Sequence, residues 1–175
     1  MRNIVVVEYD ERWPEMFQQE AERLRAVFGP LLVDIHHIGS TSVPGLQAKP
    51  IIDMMPLVRD ITQVDQLNEQ MAALGYEAMG ECGIPGRRYF RKGGNEHRTH
   101  HVHAFQADHP ETVDRHLAFR DYLRAHPDTA REYGELKARL AQQFPDDIYG
   151  YMEGKDSFVK EVERKALEWY RDQQR

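Results

Sequence analysis

Residues 39–53 read Gly-Ser-Thr-Ser-Val-Pro-Gly-Leu-Gln-Ala-Lys-Pro-Ile-Ile-Asp, and this stretch decides how the chain is interpreted. The Gly-Ser turn at its start closes an apolar segment, residues 33–38, that predicts a β-strand. A second apolar segment, residues 50–58, predicts the next strand and carries Asp53. Backbone N–H groups of such a turn can bind phosphate oxygens, and a carboxylate on the adjacent strand can hold Mg²⁺ against them. The spacing therefore favours metal-assisted phosphoryl transfer.

The Gly-Ser pair and Asp53 resemble the nucleotidyltransferase superfamily pattern, in which Gly-Gly or Gly-Ser precedes an Asp-x-Asp or Asp-x-Glu motif. The longer string His-Ile-Gly-Ser-Thr-Ser-Val-Pro-Gly-Leu-x-Ala-Lys-Pro-Ile-Ile-Asp, residues 37–53, resembles the signature of the GrpB family within that superfamily. The resemblance runs from Val6 to the C-terminal helix. It implies an α+β fold, in which a nucleotidyltransferase-like mixed β-sheet is flanked by helices.

The superfamily pattern has a second acid two residues beyond Asp53, where this chain has Met55. A two-metal site needs several hard oxygen ligands, and a thioether sulfur is a poor ligand for Mg²⁺. Two interpretations stay open. Either another side chain completes the site, or the domain binds a phosphorylated ligand without turning it over.

Composition narrows the class of protein. The length of 175 residues predicts a single domain, residues 1–175. A composition with 30% charged and 41% apolar residues predicts a globular chain. We expect no membrane span and no signal peptide, and one cysteine, Cys82, rules out an intrachain disulfide, so we expect a cytoplasmic protein. A net charge of −6 argues against binding along a nucleic-acid backbone but allows a local nucleotide site.

Hydrophobic periodicity predicts the order of the elements. Strands are predicted at residues 4–8, 33–38, 50–58, 76–79, 87–92 and 100–106. Helices are predicted over residues 12–28, 62–75, 108–126 and 129–144, followed by a loop at 145–154 and a last helix. Mixed strands and helices followed by helices alone predict an α+β core with a C-terminal helical layer.

Histidines cluster within residues 97–103. Strand alternation puts His101 and His103 on one face and His100 on the other. The three alternating histidines of histidine-triad hydrolases are not present, because Phe105 occupies the third position. In the GrpB resemblance this strand matches the family's His-x-His segment, which would bring it near the Gly-Ser turn, where a histidine could replace the missing acid.

The dense basic cluster of the chain lies at residues 87–98. Alternation puts Arg88 and Lys92 on one face and Arg87 and Arg91 on the other. A triphosphate needs several cations, so we predict that Arg88 and Lys92 contact phosphate. The alternative is an exposed strand whose charged edges discourage aggregation.

Further phosphate contacts are predicted in two places. Lys49 follows the Gly-Ser turn in the same loop, and Lys155 is predicted at the start of the last helix, where the helix dipole favours an anion. The Tyr-x₃-Lys-x₂-Phe portion around Lys155 also resembles a GrpB C-terminal motif. Solvated lysines, and an aromatic loop packed on the core, are the alternatives.

Three hypotheses follow. The leading one is transfer of a nucleotidyl or phosphoryl group from a nucleoside triphosphate to a small acceptor with Mg²⁺ or Mn²⁺, and the rival is a nucleotide- or phosphate-binding module of the same fold that has lost the chemistry. A zinc-dependent hydrolase that uses the histidines is less favoured. The predicted catalytic residues are Asp53, His101 and His103, the predicted metal ligands are Asp53 and His103, and the predicted phosphate contacts are Gly39, Ser40, Thr41, Lys49, Arg88, Lys92 and Lys155.

Overall fold

A mixed five-stranded sheet organises the computed structural model, which describes residues 4–174. The strands are β1 (Leu32–Ile38), β2 (Ile52–Val58), β3 (Tyr76–Ala78), β4 (Arg88–Lys92) and β5 (His100–Gln106), in the spatial order β1-β2-β5-β4-β3. Strands β2 and β5 are parallel, and the other neighbours are antiparallel. The α-helices of the described chain are α1 (Trp13–Phe28), α2 (Asn68–Ala73), α3 (Pro110–Ala125), α4 (Pro127–Gln143) and α5 (Ile148–Gln173). The predicted α+β class is confirmed.

The described residues form two compact units. One unit, residues 12–38 and 51–113, contains the sheet with α1 and α2. The other, residues 4–11, 39–50 and 114–174, contains α4, α5 and most of α3. Its apolar core includes Val43 and Leu46 from the segment after the Gly-Ser turn. A single domain over residues 1–175 stays a prediction.

Helix α1 covers one face of the sheet. Its buried stripe, Trp13, Phe17, Ala21, Leu24 and Phe28, recurs every three or four residues, which is the helical period. The Phe17 ring stacks on His37 of β1, with ring centroids 4.8 Å apart. The opposite face of the sheet carries Asp53 and the histidines described below.

The last helix begins earlier than the sequence suggests, at Ile148, with the Asp147 carboxylate accepting a hydrogen bond from Gly150 N–H at 3.0 Å. Its glycines indicated a loop, but they allow close packing instead. A Cβ at Gly150 would lie 2.6 Å from the Phe144 ring, and one at Gly154 would lie 2.5 Å from Leu140. The predicted loop at residues 145–154 is therefore wrong over most of its length.

Two other predicted elements differ from the structure. Among the described residues of 4–8, Val7 makes one isolated bridge to Ala48 rather than a strand. The helix predicted from Thr62 begins as a 3₁₀ segment, Ile61–Leu67, whose capping side chain is Asp60. Asp60 precedes Thr62 and accepts its N–H at 3.0 Å, so it takes the capping role from the Thr62 hydroxyl.

Within residues 4–174, none of the helices combines the length and apolar character that a membrane span requires.

Candidate functional site

Asp53, His101 and His103 meet on the sheet face that α1 does not cover. In the parallel β2–β5 pair, Asp53 lies opposite His101, and His103 follows on the same face. His101 Nδ1 lies 3.3 Å and His103 Nε2 3.0 Å from Asp53 Oδ1. The predicted grouping of His101 with His103, and of both with Asp53, is thus present in the structure. The catalytic and metal-binding roles stay predictions.

Arg87 selects the tautomer of His103. Its Nη1 lies 3.3 Å from His103 Nδ1, and a guanidinium can only donate. His103 Nδ1 must therefore accept, which places the ring proton on Nε2, where it is donated to Asp53. The result is a chain of hydrogen bonds in which Arg87 donates to His103 and His103 donates to the Asp53 carboxylate.

Arg87 is itself buried and held by backbone carbonyls. Its Nε donates to Glu81 O at 3.2 Å and its Nη2 to Cys82 O at 2.9 Å. Cys82 has a φ of +48°, the only positive φ of a non-glycine residue in the described chain. The guanidinium also lies 4.7 Å from the centre of the Tyr89 ring, which in turn stacks on His103.

Electrostatics keep Asp53 ionised. Desolvation by its neighbours favours the neutral acid, but hydrogen bonds from His101 and His103 outweigh this and hold the pKa of Asp53 far below its ordinary value. Asp53 therefore carries a full negative charge at neutral pH, in a site where its side chain is 26% exposed.

Arg88 and Lys92 do not join this cluster. Lys92 pairs in register with His100 and Arg88 with Ala104, which places both on the α1 side of the sheet. Arg88 Nε donates to Asp65 at 2.8 Å, and Lys92 Nζ donates to the buried Glu20 at 2.8 Å. Strand alternation thus puts them on the face opposite Asp53, and their contact with phosphate stays a prediction.

The Gly-Ser turn is a short 3₁₀ segment, Ser40–Ser42, entered through Gly39 at φ +73°. Two of its backbone donors are used within the turn, since Ser42 N–H donates to Gly39 O and Val43 N–H to Ser40 O. The side chain of Ser40 receives a hydrogen bond from Lys137 Nζ at 2.7 Å. Thr41 is buried at 1% exposure, and its role as a ligand contact stays a prediction.

Lys137 was not among the predicted site residues. It lies in α4, is only 2% exposed, and its ammonium sits 4.4 Å from the centre of the Tyr133 ring. Sequence gave no sign of this contact, because Ser40 and Lys137 are 97 residues apart. The one available signal was the helical period, since Lys137 lies four residues after Tyr133 and three before Leu140, on the apolar stripe of α4.

The predicted phosphate contacts Lys49 and Lys155 both lie over one aromatic ring. Their ammonium groups lie 5.1 Å and 5.0 Å from the centre of the Tyr151 ring. Lys155 is the eighth residue of α5, so the argument from the helix dipole is wrong for it. Burial raises the pKa of Tyr151 to about 12, so its hydroxyl is neutral at physiological pH.

Met55 is fully buried on the Asp53 face of β2. The β2–β5 register, which pairs Asp53 with His101 and Leu57 with Phe105, puts Met55 level with His103. The position that holds a second acid in the nucleotidyltransferase pattern is therefore apolar and closed to water here, while imidazoles from β5 supply the polar atoms beside Asp53.

Comparison with known proteins places the chain in a family. The family model described as GrpB protein matches residues 3–165. The chain belongs to the GrpB family. The crystal structure of the conserved protein GrpB from Enterococcus faecalis is 49% identical and superposes with a TM-score of 0.91, covering 95% of this family member and 99% of that chain.

A curated relative, the UPF0157 protein YqkA of Bacillus subtilis (strain 168), is 55% identical over 168 residues, which are 96% of this GrpB chain. They are 48% of YqkA, so the chain spans about half the length of that relative.

The fold is that of nucleotidyltransferases. Terminal uridylyl transferase 4 from Trypanosoma brucei, solved with bound dUTP, superposes on 84% of the chain with a TM-score of 0.52. The match covers 52% of that protein at 13% identity, and at this identity the likeness concerns the fold alone.

Proposed function

We propose that this GrpB-family protein binds a nucleotide or a similar phosphorylated small molecule and transfers its nucleotidyl or phosphoryl group to a small acceptor. The observation that carries the proposal is the buried Lys137 ammonium on the hydroxyl of the Gly-Ser turn. A point charge of this kind is a common phosphate partner in proteins, and the low dielectric around it strengthens its attraction for an anion.

The cationic residues of the helical unit support the binding half of the proposal. Lys137 is held at Ser40, and the ammonium groups of Lys49 and Lys155 both lie close to the Tyr151 ring. In a chain with a net charge of −6, a polyanion gains most electrostatic binding energy where positive charges are locally concentrated, as they are here.

The Asp53 cluster supports the transfer half. Asp53 is ionised, and both of its histidine partners lie on β5, the strand paired with its own. The side chains of Asp53, His101 and His103 are partly exposed, at 26%, 13% and 16%. Charged and basic atoms held on rigid strands are preorganised for chemistry on a bound group. Asp53, His101 and His103 are therefore the residues to which we assign the reaction.

The donor set of this cluster differs from the one that the Mg²⁺ implied by the fold family requires. Mg²⁺ prefers an octahedron of oxygens, whereas this cluster offers one carboxylate and two imidazoles, and Met55 removes the second acid. The residues of this cluster therefore do not fit Mg²⁺.

A second candidate function is a nucleotide-binding module without turnover, and the buried Met55 is the observation that favours it. Binding and chemistry therefore need separate measurements. The first is calorimetric titration of the protein with nucleoside di- and triphosphates, and the second is chromatography for product formed from the nucleotides that bind.

Site variants decide the assignment. Ser40→Ala and Lys137→Met should weaken nucleotide binding by about 10- to 100-fold, the value of one to two hydrogen bonds to a charged group. Lys160→Met is the matched control, because Lys160 is an exposed lysine of α5 that pairs with Asp156. Undiminished binding in both site variants would overturn the proposal. Binding without product, in the parent and in Asp53→Asn alike, would establish the second candidate.

A further inference from the structure

We propose that Asp53, His101 and His103 form a three-ligand site for one transition-metal ion of the Mn²⁺ to Zn²⁺ series, in place of the Mg²⁺ that the fold family implies. The site deepens the proposed function, on which its catalytic meaning rests, although the binding of the ion can be measured without any nucleotide.

The spacing of the ligand atoms already suits such an ion. The two separations from Asp53 Oδ1, 3.0 Å and 3.3 Å, match the edge of a coordination polyhedron whose bonds are about 2.0–2.1 Å long, since such edges are roughly 2.9–3.4 Å. All three ligand atoms lie within 4.8 Å of one another. An ion can therefore bind with small side-chain movements and no change in the backbone.

The chemistry of the ligands sets the preference. Imidazole nitrogen suits Zn²⁺, Fe²⁺, Co²⁺ and Ni²⁺, while Mg²⁺ requires oxygen ligands and gives up its water reluctantly. Two imidazoles and one carboxylate are the set used by catalytic sites that keep open positions for water or substrate. One ion on this set carries a net charge of about +1, which suits a site for phosphorylated substrates.

The surrounding residues hold the two rings in place. Tyr89 stacks on His103 and meets the edge of His101, with ring centroids 5.3 Å and 5.5 Å away. His101 Nε2 is buried and has no hydrogen-bond partner among residues 4–174, so the described chain does not engage the second nitrogen of that ring. His101 Nδ1, directed at Asp53, is then the nitrogen that ligates.

Arg87 weakens the site in a predictable way. When Nε2 of His103 binds an ion, the ring proton moves to Nδ1, which faces the Arg87 guanidinium, and both groups are then donors. Ligating histidines normally donate that proton to an acceptor. Arg87 must turn its Nη1 away on metal binding, so an acceptor at position 87 should strengthen binding.

The test is titration of metal-stripped protein with Zn²⁺, Co²⁺, Mn²⁺ and Mg²⁺, followed by calorimetry and, for Co²⁺, by its visible absorption. We expect one Zn²⁺ or Co²⁺ per chain, bound at least about 100-fold more tightly than Mg²⁺. Asp53→Asn, His101→Gln and His103→Gln should each weaken binding by 10-fold or more, on the order of one lost ligand. His100→Gln is the matched control, because it lies on the same strand and the opposite face.

Arg87 supplies a test that a simple loss of folding cannot mimic. Arg87→Gln offers an amide oxygen to His103 Nδ1 and should tighten binding by about 10-fold, whereas Arg87→Lys stays a donor and should not. The proposed site would be overturned if Zn²⁺ and Co²⁺ bound no more tightly than Mg²⁺, or if their binding were unchanged in all three ligand variants. If the protein binds nucleotide but takes up no transition metal, the metal site is refuted and the proposed function stands. If it takes up a transition metal but binds no nucleotide, the proposed function alone is refuted.

Discussion

Lys92 should be a structural residue that stabilises the sheet unit and leaves ligand binding unchanged. Its ammonium donates to Glu20, a carboxylate of α1 whose side chain is 3% exposed. Tyr76 Oη donates to the same carboxylate at 2.9 Å, and Arg23 Nη1 does so from the surface at 2.9 Å. This network ties α1 to β3 and β4, far from the face that carries Asp53.

The magnitude follows from what each substitution leaves behind. Removing one member of a buried ion pair typically costs about 3–5 kcal/mol, because the remaining charge stays desolvated. Glu20→Ala leaves Lys92 and Tyr76 without their carboxylate partner. Because Lys92 is 21% exposed and can turn partly toward water, we expect a loss in the free energy of unfolding at the lower end of this range, about 3 kcal/mol. For a chain of this size the midpoint of thermal unfolding should fall by about 6–12 °C.

The assay is urea unfolding of the parent, Glu20→Ala, Lys92→Met and the double variant, which together form a double-mutant cycle. A coupling free energy of about 1–3 kcal/mol is expected for residues in direct contact. Glu22→Ala, at an exposed position of the same helix, should change the free energy of unfolding by less than about 0.5 kcal/mol. If Lys92→Met abolishes nucleotide binding while the cycle shows no coupling, Lys92 binds the ligand and this reasoning is wrong.

Three further outcomes are expected. Hydrogen bonds from Lys92 and Tyr76 outweigh burial and lower the pKa of Glu20 below its usual 4.5. The contribution of ionised Glu20 to stability is therefore present above about pH 4.5 and is lost at lower pH. The urea midpoint of Glu20→Gln should fall less between pH 7 and pH 3 than that of the parent. Gly150→Ala should destabilise the fold by about 1–3 kcal/mol in thermal unfolding, although alanine ordinarily favours a helix, because its Cβ would meet Phe144. Met55→Asp places a carboxylate at a fully buried position and should cost several kcal/mol unless an ion pairs with it. A rise in its melting temperature on addition of Mg²⁺, absent in the parent, would show a restored acidic site.

The sequence predicted the sheet strands well because β1 and β2 are largely apolar segments, and glycine-rich turns separate β3, β4 and β5. All five strands of the sheet lie where the pattern put them, within two residues at either end. The pairing of His101 with His103 and the opposite placement of His100 follow from the two-residue period of a strand, which no tertiary contact can change. The bounds of α5 were wrong, since glycine is read as a turn signal although it also serves where two helices pack closely.

The position of Arg88 and Lys92 on the face opposite Asp53 could not be predicted from the sequence, for a different reason. Alternation correctly separated Arg88 and Lys92 from Arg87, but the sequence does not say which face of the sheet a helix will cover. In the structure the buried carboxylate of Glu20 in α1, 72 positions away from Lys92, pairs with the Lys92 ammonium on that side.

Arg87 then occupies the face that the sequence had given to other cations, and its role there is electrostatic. Because the guanidinium has no acceptor lone pair, His103 must present Nε2–H to Asp53. The hydrogen bonds that Asp53 accepts from His103 and His101 hold its pKa far below the ordinary value. One side chain thus determines whether the cluster acts as a set of hydrogen bonds around a carboxylate or as a ligand set for an ion. The family pattern locates the carboxylate, but only the packing of position 87 against the imidazole decides between those two states, and the Gln and Lys variants at that position separate them.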